Sequence, residues 1–301
     1  MTVSLGRQIE SHMNCYIINL DRSTDRFSYI TRCLAASNLS IVRVSAVSGD
    51  HLGEAELAHW QSRARVWAPL TAREIACFLS HRKTWKLVVE SNEQWAFIGE
   101  DDIHVTRDFA RFFDTADWLP ETADIVKAET MRSRVEMSAE KTAVVFGHAL
   151  RRLKSEHLGA AGYFISRKAC ERLLDLTEGI CEPMDYILFS PRVPIAQLEI
   201  HQIDPALCVQ DQHLVRQGHG LGFVSLIPLT RYDKVPPTGL RQRARRLWRE
   251  LQRPALQFAA FLHRAYLRAT GRSVFKFVPI DLERMATGMK ESGPLSRGHH
   301  P

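Results

Sequence analysis

The stretch WAFIGEDD, Trp95 to Asp102, is an apolar run that stops at three consecutive carboxylates, Glu100, Asp101 and Asp102. The run has the length and composition of a buried strand. Ending it in adjacent like charges costs stability unless a counter-ion is present. A divalent cation removes the conflict, and carboxylate oxygens suit the hard ions Mg²⁺ and Mn²⁺. In open α/β sheets, ligands bind at the carboxyl ends of strands, which is where these acids fall. The competing possibility is a solvated turn after a strand.

Upstream of this stretch the chain opens with CYIINL, Cys15 to Leu20, a second buried strand. Asn19, Asp21, Arg22 and Arg26 lie at or just past its end. From Thr24 the apolar spacing becomes helical, with Phe27, Ile30 and Leu34. The turn lacks G-x-G-x-x-G, so no dinucleotide site is expected. Arg22 and Arg26 either grip phosphate, whose oxygens match the guanidinium fork, or sit solvated on the first helical turn. Ile41 to Val47 alternates as a strand and completes β-α-β, an α/β opening. Residues 48–70 are mixed and polar and predict an irregular binding loop. Thr71 and Glu74 form a capping box in front of a helix from about Ala72 to Glu90. His81 lies within that helix, as a core residue or as a ligand.

Downstream, Phe109, Phe112 and Phe113 predict a short helix, and Ala123 to Ala128 a strand with Lys127 and Glu129 at its end. Residues 130–158 are highly charged. Val144 to Phe146 is a candidate short strand, and Arg151, Arg152 and Lys154 belong either to a solvated loop or to a lid facing an acceptor. A small-residue turn enters a strand at Gly159 to Ser166, and a helix follows over Arg167 to Leu176. Asp185 precedes a short helical patch, where a carboxylate often serves only as a cap. Ile195 to Ile203 alternates as a strand, with a short extended segment after it.

Composition bounds the partners. The 301 residues are 45% hydrophobic and 25% charged, an ordinary globular balance, with a net charge of +6 that favours an anionic partner. The six cysteines have no metal-ligand spacing and predict reduced thiols. The N-terminus has no secretory signal pattern, and no apolar run reaches a membrane span, so a cytoplasmic protein, soluble or peripheral, is expected. Past residue 230, Pro236, Pro237 and Gly239 mark a linker. Then come Arg241, Arg243, Arg245, Arg246, Arg249, Arg253, Arg264, Arg268 and Arg272, opposed only by Glu250 and interleaved with apolar residues such as Trp248 and Phe258. This predicts a basic amphipathic helix broken near Pro254 and suited to an anionic membrane surface, or else a helix packed on the core. No nucleic-acid motif accompanies the charge, and nucleic acid is not an expected partner.

Several motifs then fall in one order. YIINLDR at 16–22, with Arg26, is followed by EIACFLSH at 74–81, Trp85, and IGEDD at 98–102. GAAGYFISRKA at 159–169, PMD at 183–185 and PALCVQ at 205–210 complete the set. Over about residues 14–212 the chain resembles the family 25 glycosyltransferases, which include bacterial enzymes that add sugars to lipooligosaccharide. It departs from the family pattern at Ala76, usually Gly; at Gly99, usually aliphatic; and at Ser48, usually Asp. The resemblance implies an α/β, GT-A-like nucleotide-sugar-binding fold with a mixed central sheet. It implies an inverting transfer of a hexose, usually galactose, from a UDP-sugar to a saccharide or glycolipid acceptor of lipooligosaccharide or another surface glycan.

Several residue roles follow from that resemblance. Glu100, Asp101 and Asp102 match the acidic motif that would hold Mn²⁺ or Mg²⁺. Asp185 is the first candidate for the general base and Glu129 the second. Asn19, Arg22 and Arg26 would meet the nucleotide or its phosphates. His81 matches the Ser-His pair, and Gly162 and Tyr163, with Gly159, would shape the acceptor side. The expected domains are a GT-A-like domain over 1–230, a basic helical region over 231–286 that would attach to the inner face of the cytoplasmic membrane, and a flexible tail over 287–301. Two other functions fit clustered acids: a different metal-dependent phosphoester or nucleotidyl-transfer enzyme, and a non-catalytic membrane-associated binding protein.

Overall fold

The computed structural model describes residues 13–35, 37, 39–64, 69–91, 93–191, 197–216, 218–223 and 240–286. The linker expected at Pro236, Pro237 and Gly239 and the tail at 287–301 lie outside these residues. In chain order the elements begin β1 (Cys15–Asn19), α1 (Thr24–Leu34), β2 (Ile41–Ser45), α2 (Glu54–Gln61), α3 (Ala72–Glu90), β3 (Trp95–Glu100) and β4 (Ile103–Val105). They continue β5 (Ile125–Lys127), β6 (Arg134–Ser138), β7 (Ala143–Val145), β8 (His148–Arg152), β9 (Gly162–Ser166), α4 (Arg167–Leu176) and α5 (Met184–Phe189). The last are β10 (Ile200–Asp204), β11 (Cys208–Gln210), α6 (Asp211–Val215), α7 (Leu240–Thr270) and β12 (Ser273–Phe277).

Eight strands form one mixed sheet in the order β2-β1-β3-β9-β5-β10-β8-β7. β1 runs parallel to both β2 and β3, and β9 is antiparallel to β3 and β5. Strand alternation divides the interior into two cores, one on each face. Tyr16, Ile18, Ala96, Ile98, Tyr163 and Ile165 face the core built with α3, α4 and α5. Cys15, Ile17, Phe97 and Phe164 face the other, filled by α1 and by Phe109, Phe112 and Phe113 of a 3₁₀ segment. The central strands β1, β3 and β9 are buried on both faces, which is why they read as continuous apolar runs.

The Thr71–Glu74 capping box is present with both reciprocal bonds. The loop expected over 48–70 instead contains a 3₁₀ turn at Gly49–His51 and the helix α2, which has no buried residue and so no apolar stripe to betray it. The charged stretch 130–158 supplies three strands, β6, β7 and β8.

The break expected near Pro254 is absent. α7 is one helix of 31 residues with Pro254 inside it, at the cost of one intrahelical N–H bond. The region 231–286 is also not a separate attachment module throughout. After α7, β12 pairs antiparallel with β6, Ala206 N donates to Pro279 O, and Ala286 N donates to Val105 O. Val278 is buried with Val135 and Met137. All six cysteines are free thiols, and Cys15, Cys170, Cys181 and Cys208 are buried.

Candidate active site

β1 and β3 are parallel neighbours, so their carboxyl ends emerge side by side, and the turn after β3 places Asp101 and Asp102 beneath α1. A cleft of about 330 Å³ opens there, a volume in the range of small-molecule sites. Its walls come from far-apart segments: Arg22 and Arg26, Val47 to Asp50, Cys77, Ser80 and His81 of α3, and the three acids. The loop 158–160, Asp185 and Gln210 complete it.

The three acids have three different surroundings. Asp101 is committed to the protein: it accepts from Asn19 Nδ2 at 2.6 Å and pairs with Arg26 Nη1 at 3.2 Å. Asp102 is buried and met only loosely by Gln210 Nε2, at 3.4 and 3.5 Å. Glu100 accepts from the same Gln210 amide at 3.2 Å and faces the cleft. Burial, then the charges of Glu129, Asp101 and Asp185, push the Glu100 carboxyl up to about 8. Burial, then Glu100 and Asp101, push Asp102 well above the usual carboxylate range, against the opposing pull of Arg26 and Gln210. Two desolvated carboxylates that repel one another and share the Gln210 amide, with the Cys77 thiol donating to Glu100 at 3.9 Å, fit a hard divalent cation. Asp101, already paired, fits that role less well than Glu100 and Asp102.

Arg26 spans the acids and the loop beyond them, stacking over the Phe223 ring at 5.3 Å while bound to Asp101. Arg22 is more exposed, donates to Ser48 Oγ at 3.2 Å and pairs with Asp50 at 3.1 Å. Asn19 does not line the cleft. It is buried, bound to Asp101, and accepts from Arg43 Nε at 2.8 Å.

His81 lines the cleft but is held from behind. Its Nδ1 lies 2.8 Å from Tyr163 Oη, which also accepts from Trp85 Nε1 at 3.2 Å. Burial lowers its pKa to about 3, so the ring is neutral. Tyr163 and Gly162 are fully buried in β9 and do not line the cleft. Tyr163 contacts His81 from behind, and a Cβ on residue 162 would come within 2.4 Å of Cys208 Sγ.

The two candidate bases are separated by the fold. Asp185 opens α5 at the cleft wall, where burial raises its pKa against hydrogen bonds from the Gly159 and Tyr186 N–H groups and the charge of Lys127. Glu129 is fully buried and does not line the cleft. It pairs with Lys127 Nζ at 3.2 Å and accepts from Ala161 N at 3.1 Å. Lys127 also donates to the carbonyls of Leu158, at 3.2 Å, and Gly159. The loop that carries Gly159 (φ +90°) is therefore pinned from beneath by a buried ion pair. Cys77, Gln210 and Lys127 belong to this neighbourhood although their local sequence gives no chemical signal: a lone thiol, an amide and a strand lysine gain meaning only from what they face.

The family profile described as glycosyltransferase family 25 (LPS biosynthesis protein) matches residues 12–188. The chain is similar to the lacto-N-neotetraose biosynthesis glycosyltransferase LgtB of Neisseria meningitidis serogroup A. The two are 30% identical over 223 residues, covering 70% of this chain and 80% of that one. The lipooligosaccharide biosynthesis protein lic2B of Haemophilus influenzae is 30% identical over 156 residues, 49% of this chain and 57% of that one. Among solved structures, a glycosyltransferase involved in the glycosylation of the major capsid of PBCV-1 aligns with 66% of this chain and 92% of its own at 9% identity. Its TM-score is 0.35, too low to argue from. The matched span holds the first strand, α3, the acids and Asp185 together, and over more than half its length this chain is a member of glycosyltransferase family 25.

Proposed function

We propose that the chain transfers a hexose, galactose in the first instance, from a UDP-sugar to a saccharide acceptor of lipooligosaccharide or a related surface glycan, with inversion at the anomeric carbon. One observation carries this most directly. The under-satisfied pair Glu100 and Asp102 and the raised carboxyl of Asp185 open into the same cleft. The names of the relatives support the choice of acceptor class.

Glu100 and Asp102 would hold Mn²⁺ or Mg²⁺, which when bound acts as a Lewis acid on the diphosphate leaving group. Arg22 and Arg26, on the α1 side of the cleft, would meet the phosphates. Asp101 holds Arg26 in place through their ion pair. Asp185 would take the proton of the acceptor hydroxyl. The acceptor oxygen then bonds to the anomeric carbon as the bond to the β-phosphate oxygen breaks, and that electron pair leaves with UDP. A single displacement of this kind inverts the centre. A carboxyl raised by burial is better matched to this proton transfer near neutral pH than an ordinary one.

The deciding experiment is thermal stabilisation by a nucleotide panel with and without Mn²⁺, since a ligand of the folded state raises its stability. The expected result is a shift with UDP or UDP-galactose that needs Mn²⁺ and disappears in Asp102→Asn. A shift with nucleoside triphosphates alone would replace this proposal with a nucleotidyl-transfer enzyme. No shift with any nucleotide would remove the donor site.

We further propose that α7 seats the enzyme on an anionic membrane surface. Leu247, Trp248, Leu251, Phe258, Phe261, Leu262 and Tyr266 are each more than half exposed. Leu267, which is buried, and His263, which reaches Glu136 Oε2 at 3.2 Å, tie the last turns of the helix to the body. At 100° per residue Leu247, Leu251, Phe258, Phe261 and Leu262 lie about 120° or more from the midpoint of these two anchors, with Trp248 and Tyr266 on the flank. No helix among the described residues is long and apolar enough to cross a membrane.

A further inference from the structure

Beside the hard-acid pair the cleft holds a donor set of a different chemistry. Cys77 and His81 are four residues apart on α3, so they share one face of the helix, and that face meets Glu100 at the end of β3. His81 Nε2 stands 3.5 Å from Glu100 Oε1, and Cys77 Sγ stands 3.9 Å from the same oxygen. The three ligand atoms all lie within 4.8 Å of one another. Around a tetrahedral zinc, with bonds of about 2.3 Å to sulfur and 2.0–2.1 Å to nitrogen and oxygen, donor atoms sit about 3.3–3.6 Å apart. Two of the three separations are already close to that. The third needs an adjustment that side-chain rotation can provide.

The histidine is set up as a ligand. His81 is fully buried, and its Nε2 makes no hydrogen bond among the described residues, although it points at the cleft. Tyr163 Oη, fixed by Trp85, receives the ring's other nitrogen. A proton on Nδ1 donated to that oxygen leaves the Nε2 lone pair directed at Glu100 and Cys77. Metal-ligating histidines are usually oriented by such a second hydrogen bond. That lone pair faces a Glu100 carboxyl oxygen at 3.5 Å and the Cys77 sulfur, whose thiol donates to the same oxygen.

We infer that Cys77, His81 and Glu100 form a binding site for one soft or borderline divalent cation of the Zn²⁺ class, separate in its chemistry from the Mn²⁺/Mg²⁺ seat of Glu100 and Asp102. Thiolate and imidazole select such ions, whereas carboxylates alone favour the hard ones. Binding would form bonds from the cation to Cys77 Sγ, His81 Nε2 and a Glu100 oxygen, and would displace to solvent the Cys77 thiol proton and any proton held by the Glu100 carboxyl. Glu100 is common to both sets, so the two cations compete for it. The inference goes beyond the transferase proposal and does not rest on it, because the metal alone is the probe.

The test is titration of the metal-free full chain with Co²⁺, followed by its thiolate-to-cobalt charge-transfer band in the near ultraviolet. The expected result is a band that saturates at one equivalent in the wild type and is lost in Cys77→Ser. A second measurement needs no variant: the rate of iodoacetamide alkylation at Cys77, read by mass spectrometry. Zn²⁺ should slow alkylation of Cys77 and leave that of Cys33, the other thiol with partial exposure, unchanged, and Mg²⁺ should slow neither. No cobalt band in the wild type, a band that persists in Cys77→Ser, or alkylation of Cys77 indifferent to Zn²⁺ would each overturn the inference.

Discussion

Glu129 carries a carboxylate into the interior with one oxygen, Oε1, that has no hydrogen-bond partner among the described residues. Lys127 is what makes that tolerable, and its ammonium is held in turn by two loop carbonyls and lies 4.0 Å over the Phe189 ring. Removing one member of a buried pair strands the other charge, at a cost of about 3–5 kcal/mol. Lys127→Met should therefore lower stability in urea by that amount and loosen the Gly159 loop at the cleft wall. A loss under about 1 kcal/mol would mean that the pair is not desolvated as described. Asp185 differs in kind because it faces the cleft. Asp185→Asn should lower kcat by about 10²–10⁴ while the UDP-dependent thermal shift is kept. If kcat is retained, the base lies elsewhere.

At the scale of elements, α3 is the part most fully specified by local sequence. The Thr71 hydroxyl accepts from Glu74 N, and the Glu74 carboxylate accepts from Thr71 N at 2.8 Å. Thr71→Ala should cost about 1 kcal/mol, measured by denaturant unfolding, and should raise KM or lower kcat only slightly. α7 is the opposite case. Its periodicity is as clear as that of any helix here, yet its apolar stripe is not taken up by the core. If it lies on lipid, the Trp248→Asp/Phe258→Asp double variant should lose co-sedimentation with anionic liposomes by at least about tenfold, since each buried aromatic contributes about 1.5–3 kcal/mol. Equal sedimentation of variant and wild type would end the membrane proposal. Deleting everything past residue 235 would be a poor test, because β12 and residues 278–286 are knitted into the body.

Across the whole molecule, buried neutral histidines set the acid limit. His157 Nε2 accepts from Met131 N, so its proton sits on Nδ1 and is donated to Gln202 Oε1 at 2.8 Å. Burial, then the charge of Lys127, lowers its pKa to about 3. Burial, then Arg152, lowers that of His201 to about 4. Both folded values lie below the ordinary 6.5, so the unfolded chain binds more protons between pH 6.5 and the folded values. The stability these two histidines contribute is full above about pH 6.5 and falls as pH drops toward 4, while the raised carboxyls of Glu100, Asp102 and Asp185 act in the opposite sense. The melting temperature of the wild type, taken relative to that of His157→Gln, should therefore be lower at pH 4.5 than at pH 7 in paired thermal scans. An unchanged slope in the variant would assign the acid sensitivity to other groups.

Much of this architecture was legible in the residues. The apolar runs of β1, β3 and β9 and the capping box of α3 are local signals, because strand burial and helix nucleation depend on neighbours within a turn or a strand. α2, β6 and β8 were not legible, and of the charged stretch 130–158 only the strand at Val144 and Val145 was. α2 has no fully buried residue, only Leu57 and Trp60 partly packed on the core, and β6 and β8 are charge-bearing strands whose partners β12 and β10 lie far along the chain. The sequence by itself determined that a buried strand ends in three acids and that two of its neighbours are a β-α-β opening and a long capped helix. Only the tertiary structure decided how those acids divide. It turned Asp101 to Asn19 and Arg26, left Asp102 to Gln210, and set Glu100 against Cys77 and His81. The reason is that each of these contacts joins residues 19 to 108 positions apart, and sheet pairing and helix packing, not local pattern, bring such distant residues together.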